Sequence, residues 1–202
     1  QVRIIAIDDA PIAHWSAVVE LPAGEVGEIT VAGPTTTDSY FNREAATIAA
    51  KIVEVRADGG EQVVHRMGDV GYFDAEGRLW FCGRKTQRVQ AADRALYTEQ
   101  VEPVFNAHPQ VRRTALVGVG VPGAQRPVLC VELAAGVDAG QFQRIQGELR
   151  TLAAAHAHTA PVATFLRHPG FPVDIRHNAK IGREKLAAWA GAALSAGSGG
   201  AA

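Results

Sequence analysis

Two cysteines, one methionine and a formal net charge of -1 leave little in this 202-residue chain to suggest metal clusters or bulk electrostatic binding. Cys82 and Cys130 lie far apart in sequence and match no metal-ligand spacing. They read as buried, reduced thiols of a cytoplasmic protein, with a disulfide left open. The near-zero charge excludes a general attraction to nucleic acid or to an anionic membrane, although a local basic site remains open. No apolar run is long enough to span a bilayer, and nothing resembles a secretion signal. A nucleophile elbow is missing, and so is any Ser-His-Asp pattern. "AGEVGE" carries two glycines but does not resemble a phosphate-cradling loop. The opening "QVRIIAIDDAPI" enters directly on a strand pattern and reads as the middle of a longer protein.

What is present divides near Lys85. Before it, "VRIIAI", "SAVVEL" and "GEITVAG" are apolar, β-branched segments separated by Pro22, Gly24 and Gly27. "NREAATIAAKI" predicts a short helix capped by Asn42. "KIVEV" and "EQVVHRM" flank the turn "RADGG", and "GYFD" and "RLWFCG" flank "AEG", where Gly77 can take positive φ. Short strands joined by turns in this number predict a small barrel or curled sheet. After Lys85 the pattern turns mixed. "YTEQVEPVFNAHP" predicts a helix starting near Thr98, with Pro103 in its first turns. "VRRTALVGVG" and "RPVLCVELA" are strong strands around a Pro122-Gly123 turn. Phe142, Ile145, Leu149 and Leu152 recur at helical spacing behind the capping candidate Asp138. "VATFLRH" predicts a further strand, "REKLAAWAGAAL" a terminal helix, and "SAGSGGAA" a flexible tail.

Three polar residues stand out, each with a bland alternative. Asp69, in "HRMGDVGYFD", can hold two ribose hydroxyls through its two oxygens, or bond its own backbone in a turn, which is the commoner role. Arg84 closes "RLWFCGR", where a guanidinium fork can clamp a phosphate or ribose oxygen, or simply be solvated at a strand end. Lys180 lies in the polar loop "VDIRHNAKIGREKL", where an ammonium can neutralise a carboxylate and a phosphate together, or be an ordinary surface lysine. His156, His158, His168 and His177 have no Cys or paired carboxylate at metal-ligand spacing and read as surface or helix-end histidines.

Taken in order, the segments resemble the C-terminal part of the adenylate-forming ligases, the superfamily of acyl-CoA synthetases, luciferases and peptide-synthetase adenylation domains. "GEVGEITVAGPTTTDSYFNREAAT", "HRMGDVGYFDAEGRLWFCGRK", "EQVEPVFNAHPQVRRTALVGVGVPG", "RPVLCVEL" and "RHNAKIGREKL" resemble successive family segments, and together they cover nearly the whole chain. The second is the specific one, resembling "YRTGDLG…D.DG.L.F.GR.D". The resemblance implies an α+β fold. Residues 1–84 would be a β-barrel-like end of the large domain, 85–192 the mobile C-terminal domain, and 193–202 a flexible tail.

The resemblance also implies roles. Asp69 would hold the ribose hydroxyls of ATP or of the acyl adenylate, and Arg84 would contact the nucleotide. Lys180 would bridge the acid's carboxylate and the α-phosphate, and Lys85 and Thr86 would form the hinge. The cofactor implied is ATP with Mg2+, the metal contacts coming mainly from upstream. "DDAPIAHW", "LWFCGRK" and "VDIRHNAKIGREKL" look like the β-lactone synthetase branch of bacterial olefin biosynthesis. That branch adenylates a long-chain β-hydroxy fatty acid and cyclises it with loss of AMP. Its partners would be ATP/AMP, that fatty acid and other olefin-biosynthesis enzymes. The alternatives are an AMP-forming fatty acyl-CoA synthetase and a non-catalytic interaction module that keeps the fold. Two departures bear on this choice. Ala92 stands where the family usually has a Gly beside the pantetheine arm of CoA, so its Cβ would obstruct the thiol channel. Ala179 replaces the usual Gly before the lysine.

Overall fold

The computed structural model describes residues 1–174 and 177–198. The chain forms two compact units, Gln1–Thr86 and Gln87–Ala202.

The first unit is built on one long strand. β1 (Val2–Ile5), β2 (Gly27–Ala32), helix α1 (Glu44–Ala50), β3 (Lys51–Val55), β4 (Glu61–Phe73) and β5 (Leu79–Arg84) follow in order. All strand pairs are antiparallel. β4 takes β2 along one edge. Its other edge is shared: β3 pairs with its first half, β5 with its second. Period-two alternation sends Val64, Arg66 and Val70 inward along β4. Ile5, Ile12, Ala32, Ile52 and Val64 form the apolar core beneath the sheet. Gly71 is required where β4 and β5 close up, because a Cβ there would lie 2.5 Å from the Trp80 carbonyl oxygen. The β4–β5 turn is held by Asp74, which accepts from Arg78 and from the Trp80 indole N–H at 2.7 Å.

The second unit is a three-layer sandwich. β6 (Val89–Gln90) and β7 (Ala95–Leu96) make a small hairpin before helix α2 (Thr98–Asn106). β8 (Val111–Val119) and β9 (Arg126–Leu133) pair antiparallel. Helix α3 (Phe142–Ala154) then crosses over to β10 (Thr164–Arg167), which lies parallel to β9. The continuous apolar runs in β8 and β9 arise because both sheet faces are covered. Leu116, Leu129 and Val131 pack with Val101 and Phe105 of α2 and Ile145 and Leu149 of α3. Ala115, Val117, Val128 and Cys130 pack against Leu186 and Ala190 of α4 (Arg183–Ser198) on the other face. A separate two-stranded hairpin, β11 (Val173–Asp174) and β12 (His177–Ile181), precedes α4.

The structure departs from the sequence expectations at identifiable points. The first unit is an open five-stranded sheet, not a barrel: β3 and β5 share an edge of β4 instead of closing on β1. "SAVVEL" is not a strand. It holds a 3₁₀ turn and one isolated bridge from Glu20 to Ile5; Val18 packs against the core and Val19 points to solvent. Asn42 does not cap α1. It takes a left-handed φ of 52°, which Asn tolerates, and Arg43 occupies the cap position without a side-chain bond. Asp69 lies within β4, not in a turn, with the left-handed kink absorbed by Gly68. The segment carrying Lys180 is a hairpin where a loop was expected, with Ile175 and Arg176 outside the described residues. The units divide after Thr86 instead of after 84. Helix continues through 193–198, where a tail was expected, and 199–202 lie outside the described residues.

Both cysteines are free and buried. Burial pushes the Cys82 thiol up to about 11 and the Cys130 thiol up to about 12. Neither forms thiolate near neutral pH, so neither is nucleophilic there. Titration with a disulfide reagent at pH 8 should therefore detect neither thiol of this chain in the native protein and both after guanidinium unfolding.

Candidate active site

In the first unit β4 and β5 bring two of the expected residues together. Asp69 and Arg84 are cross-strand partners, with a bulge between Val70 and Gly71 immediately after. Gly83 precedes Arg84 with a φ of 125°, which a side chain would strain, and it pairs with Val70. Arg84 Nη1 stands 2.8 Å from Asp69 Oδ1. The contact is an ion pair at a carboxylate oxygen shielded from solvent. The Asp69 side chain is 20% exposed and that of Arg84 59%, so the pair opens to the surface. Chemically it offers a double acceptor beside a planar cation, which suits a vicinal diol next to a phosphate.

Lys85, next in the chain, is tied into the body of the first unit. Its ammonium donates to Glu28 Oε2 at 3.1 Å and to the Asp8 carbonyl at 3.0 Å. Glu28 is 1% exposed and also accepts from Arg66 at 2.7 Å. Arg66 in turn donates to the Ala10 carbonyl at 2.8 Å. One buried carboxylate thus binds β2, β4, the loop after β1 and the end of β5 into one polar knot. Thr86 is exposed and sits in the 3₁₀ turn Lys85–Gln87.

Lys180 belongs to the second unit, on β12, and is exposed. Its neighbours are fixed: Ile181 packs against the cluster under α4, and the Gly182 N–H donates to the Pro172 carbonyl at 2.8 Å. Arg183 forks onto Glu102 of α2 at 2.5 and 2.9 Å. Burial raises the Glu102 carboxyl above the usual carboxylate range, and Arg183 opposes that shift. Ala92 lies exposed in the β6–β7 turn. His156 and His158 stack on each other with ring centroids 5.5 Å apart, and His168 meets Trp189 edge-on. Among the described residues no group of three or more His, Cys, Asp or Glu side chains could hold a metal ion.

Sequence reasoning missed Glu28, Arg66, Glu102, Glu132 and Arg183. For Glu28, Arg66 and Glu132 the signal was available as charged residues interrupting apolar runs in "GEITVA", "VVHRM" and "VLCVEL", since a charge at an inward position demands a partner.

Comparison with known proteins then fixes the family. No family model matches the chain. It is 74% identical over 190 residues to the olefin β-lactone synthetase of Xanthomonas campestris, covering 94% of this chain and 34% of that protein. To the olefin β-lactone synthetase of Stenotrophomonas maltophilia it is 69% identical over 194 residues, covering 96% and 35%. Among solved structures, the O-succinylbenzoate coenzyme A synthetase of Bacillus subtilis in complex with AMP superposes with a TM-score of 0.63 at 26% identity, over 92% of this chain and 33% of that one. The chain spans about a third of the length of the curated relatives it matches.

Replacing Glu28 by Ala leaves Arg66 and Lys85 buried without their shared carboxylate. The variant should lose about 3–5 kcal/mol of stability in guanidinium unfolding, whereas Glu76→Ala, at an exposed turn, should change it by less than about 0.5 kcal/mol. By sequence and by fold the chain belongs to the adenylate-forming ligases, corresponds to the C-terminal part of one, and groups with the olefin β-lactone synthetases.

Proposed function

We propose that this chain is the C-terminal, nucleotide-closing part of an ATP-dependent β-lactone synthetase. The observation that carries this is the Asp69–Arg84 pair, set opposite each other on β4 and β5 with the guanidinium exposed and the carboxylate partly so. A ribose supplies two hydroxyl donors to such a carboxylate, and Arg84 takes an oxygen of the nucleotide. Lys180 bridges the substrate carboxylate and the α-phosphate. In the first step the acid's carboxylate oxygen attacks the α-phosphorus and pyrophosphate leaves. Both reactants are anionic where they meet, so a preplaced ammonium offsets charge that grows in the transition state. In the second step the β-hydroxyl oxygen attacks the activated carbonyl, its proton is lost, and AMP departs. The product is a four-membered lactone.

The residues present fit the ribose and phosphate of ATP. Mg2+ accompanies ATP in this scheme, with ligands from phosphate oxygens, water and residues outside this chain. The segment at Lys85 and Thr86 acts as the hinge: Lys85 is anchored to Glu28, and motion begins at the exposed Thr86. Ala92 supports lactone over thioester formation, because its Cβ occupies a turn where close approach by a pantetheine arm would need Gly. The 69–74% identity to olefin β-lactone synthetases supports the same choice. Dependence on ATP assigns the reaction to the cytoplasm. Enzymes that deliver the long-chain β-hydroxy acid and consume the lactone are its partners.

Incubating the full-length protein with ATP, a long-chain β-hydroxy acid and CoA should yield lactone and AMP by mass spectrometry. A thioester product would assign it to the acyl-CoA synthetases instead. Lys180→Ala should lower ATP–pyrophosphate exchange by about 10²–10³-fold, and Asp69→Ala should raise KM for ATP by about tenfold or more. Undiminished exchange in Lys180→Ala would favour the non-catalytic module. The 202-residue chain alone should release no pyrophosphate above background.

A further inference from the structure

The β11–β12 hairpin that carries Lys180 is poorly equipped to hold itself in place. It forms its own two-stranded sheet, apart from the three-stranded sheet of the second unit, and β11 is only 2 residues long. A lone two-stranded hairpin is marginal in water. Its position must therefore be imposed at its two ends, and at each end the structure places a buried carboxylate.

Upstream, Glu132 of β9 is 4% exposed, and its Oε2 accepts from the Phe171 backbone N–H at 2.8 Å. The same carboxylate is held by Arg112 at 2.6 Å and Arg113 at 2.9 Å. The Phe171 ring is buried in the cluster under α4, with the Arg113 guanidinium 5.2 Å above it. Downstream, Glu102 of α2 is 7% exposed. Its two oxygens receive the Arg183 fork, and Oε1 also accepts from the Leu116 N–H of β8 at 2.7 Å. The Gly182–Pro172 bond closes the base of the hairpin between these two clamps. Lys180 is thus three residues before Arg183 of one clamp, and Phe171 of the other lies two residues before the start of β11.

Neither pair is the cheapest way to stabilise a fold. Burying an ion pair costs desolvation that an apolar pair of similar volume would avoid, whereas a fork onto a carboxylate fixes position and angle. We infer that Glu102 with Arg183, and Glu132 through Phe171, are positioning residues that hold the β11–β12 hairpin so that the Lys180 ammonium reaches one defined point. The inference rests on the adenylation role of Lys180 given above.

Precision is what such clamps provide. A catalytic group displaced by about 1 Å can lose about 10²-fold in rate. Arg183→Lys keeps the charge and removes the fork. Glu102→Asp keeps the charge and draws the carboxylate back by one methylene, and it carries the same expectation should Arg183→Lys fail to accumulate. In the full-length protein, Arg183→Lys should lower kcat for ATP–pyrophosphate exchange by about 10–10²-fold with KM for ATP within about twofold. Conversion of a chemically prepared β-hydroxyacyl adenylate to lactone should proceed at the unaltered rate, since that step does not use the bridge made by Lys180. In the Lys180→Ala background, adding Arg183→Lys should cost nothing more, because the group being positioned is gone. Equal losses in both half-reactions, or a further loss on top of Lys180→Ala, would overturn the positioning role and leave a structural one. Full exchange activity in both Arg183→Lys and Glu102→Asp would overturn it as well. Full exchange in Lys180→Ala itself would instead sink the role of Lys180, which keeps the two failures apart.

Discussion

The carboxylate of Glu28, almost wholly removed from water between the Arg66 guanidinium and the Lys85 ammonium, is the constraint on which the first unit turns. A lone buried charge of this kind would be intolerable, and its two cations come from β4 and from the residue after β5. Satisfying it fixes three things at once. It sets the seating of β4 against β2, the path of the loop through Asp8 and Ala10, and the point where the chain leaves the sheet. Asp69 lies on the same strand as Arg66, and Arg84 is the residue before Lys85. The Asp69–Arg84 pair is therefore braced by neighbours in the chain that belong to the buried trio.

The second unit repeats the device with different parts. Its sheet is stabilised by ordinary means, with apolar side chains of β8 and β9 covered on one face by α2 and α3 and on the other by α4. The carboxylates of Glu102 and Glu132 are spent at the edges of the core, where the backbone leaves it to form the hairpin before α4. In both units apolar burial makes the scaffold, and buried ion pairs specify where an exposed polar residue stands. Only the second kind of interaction has the directionality to do so.

Much of this was legible residue by residue. The apolar periodicity of α3, the runs of β8 and β9, and the turns at Gly77 and Gly123 follow from short-range chemistry that local sequence records. The family resemblance picked out Asp69 and Arg84, and the sheet sets them opposite each other in register. What was misread depended on partners distant in sequence. "SAVVEL" has strand-like composition, but its pairing with the edge of β1 amounts to one bridge at Glu20, made through the Val19 carbonyl and the Leu21 N–H, and goes no further. Between the two expected forms, a small barrel and a curled sheet, strand number could not choose: it is local, whereas closure depends on which edge each strand takes, and the sheet stays open.

By itself the sequence determined the family, the alternation of elements and the chemical types available at the site. These reside in spacing, propensity and side-chain identity. Only the tertiary structure decided that Glu28, Arg66 and Lys85 share one charge site, that Asp69 pairs with Arg84 across β4 and β5, and that Glu102 and Glu132 bracket the hairpin of Lys180. The physical reason is that a charge's cost and a hydrogen bond's geometry are set by what surrounds them, and those surroundings are assembled from segments far apart along the chain.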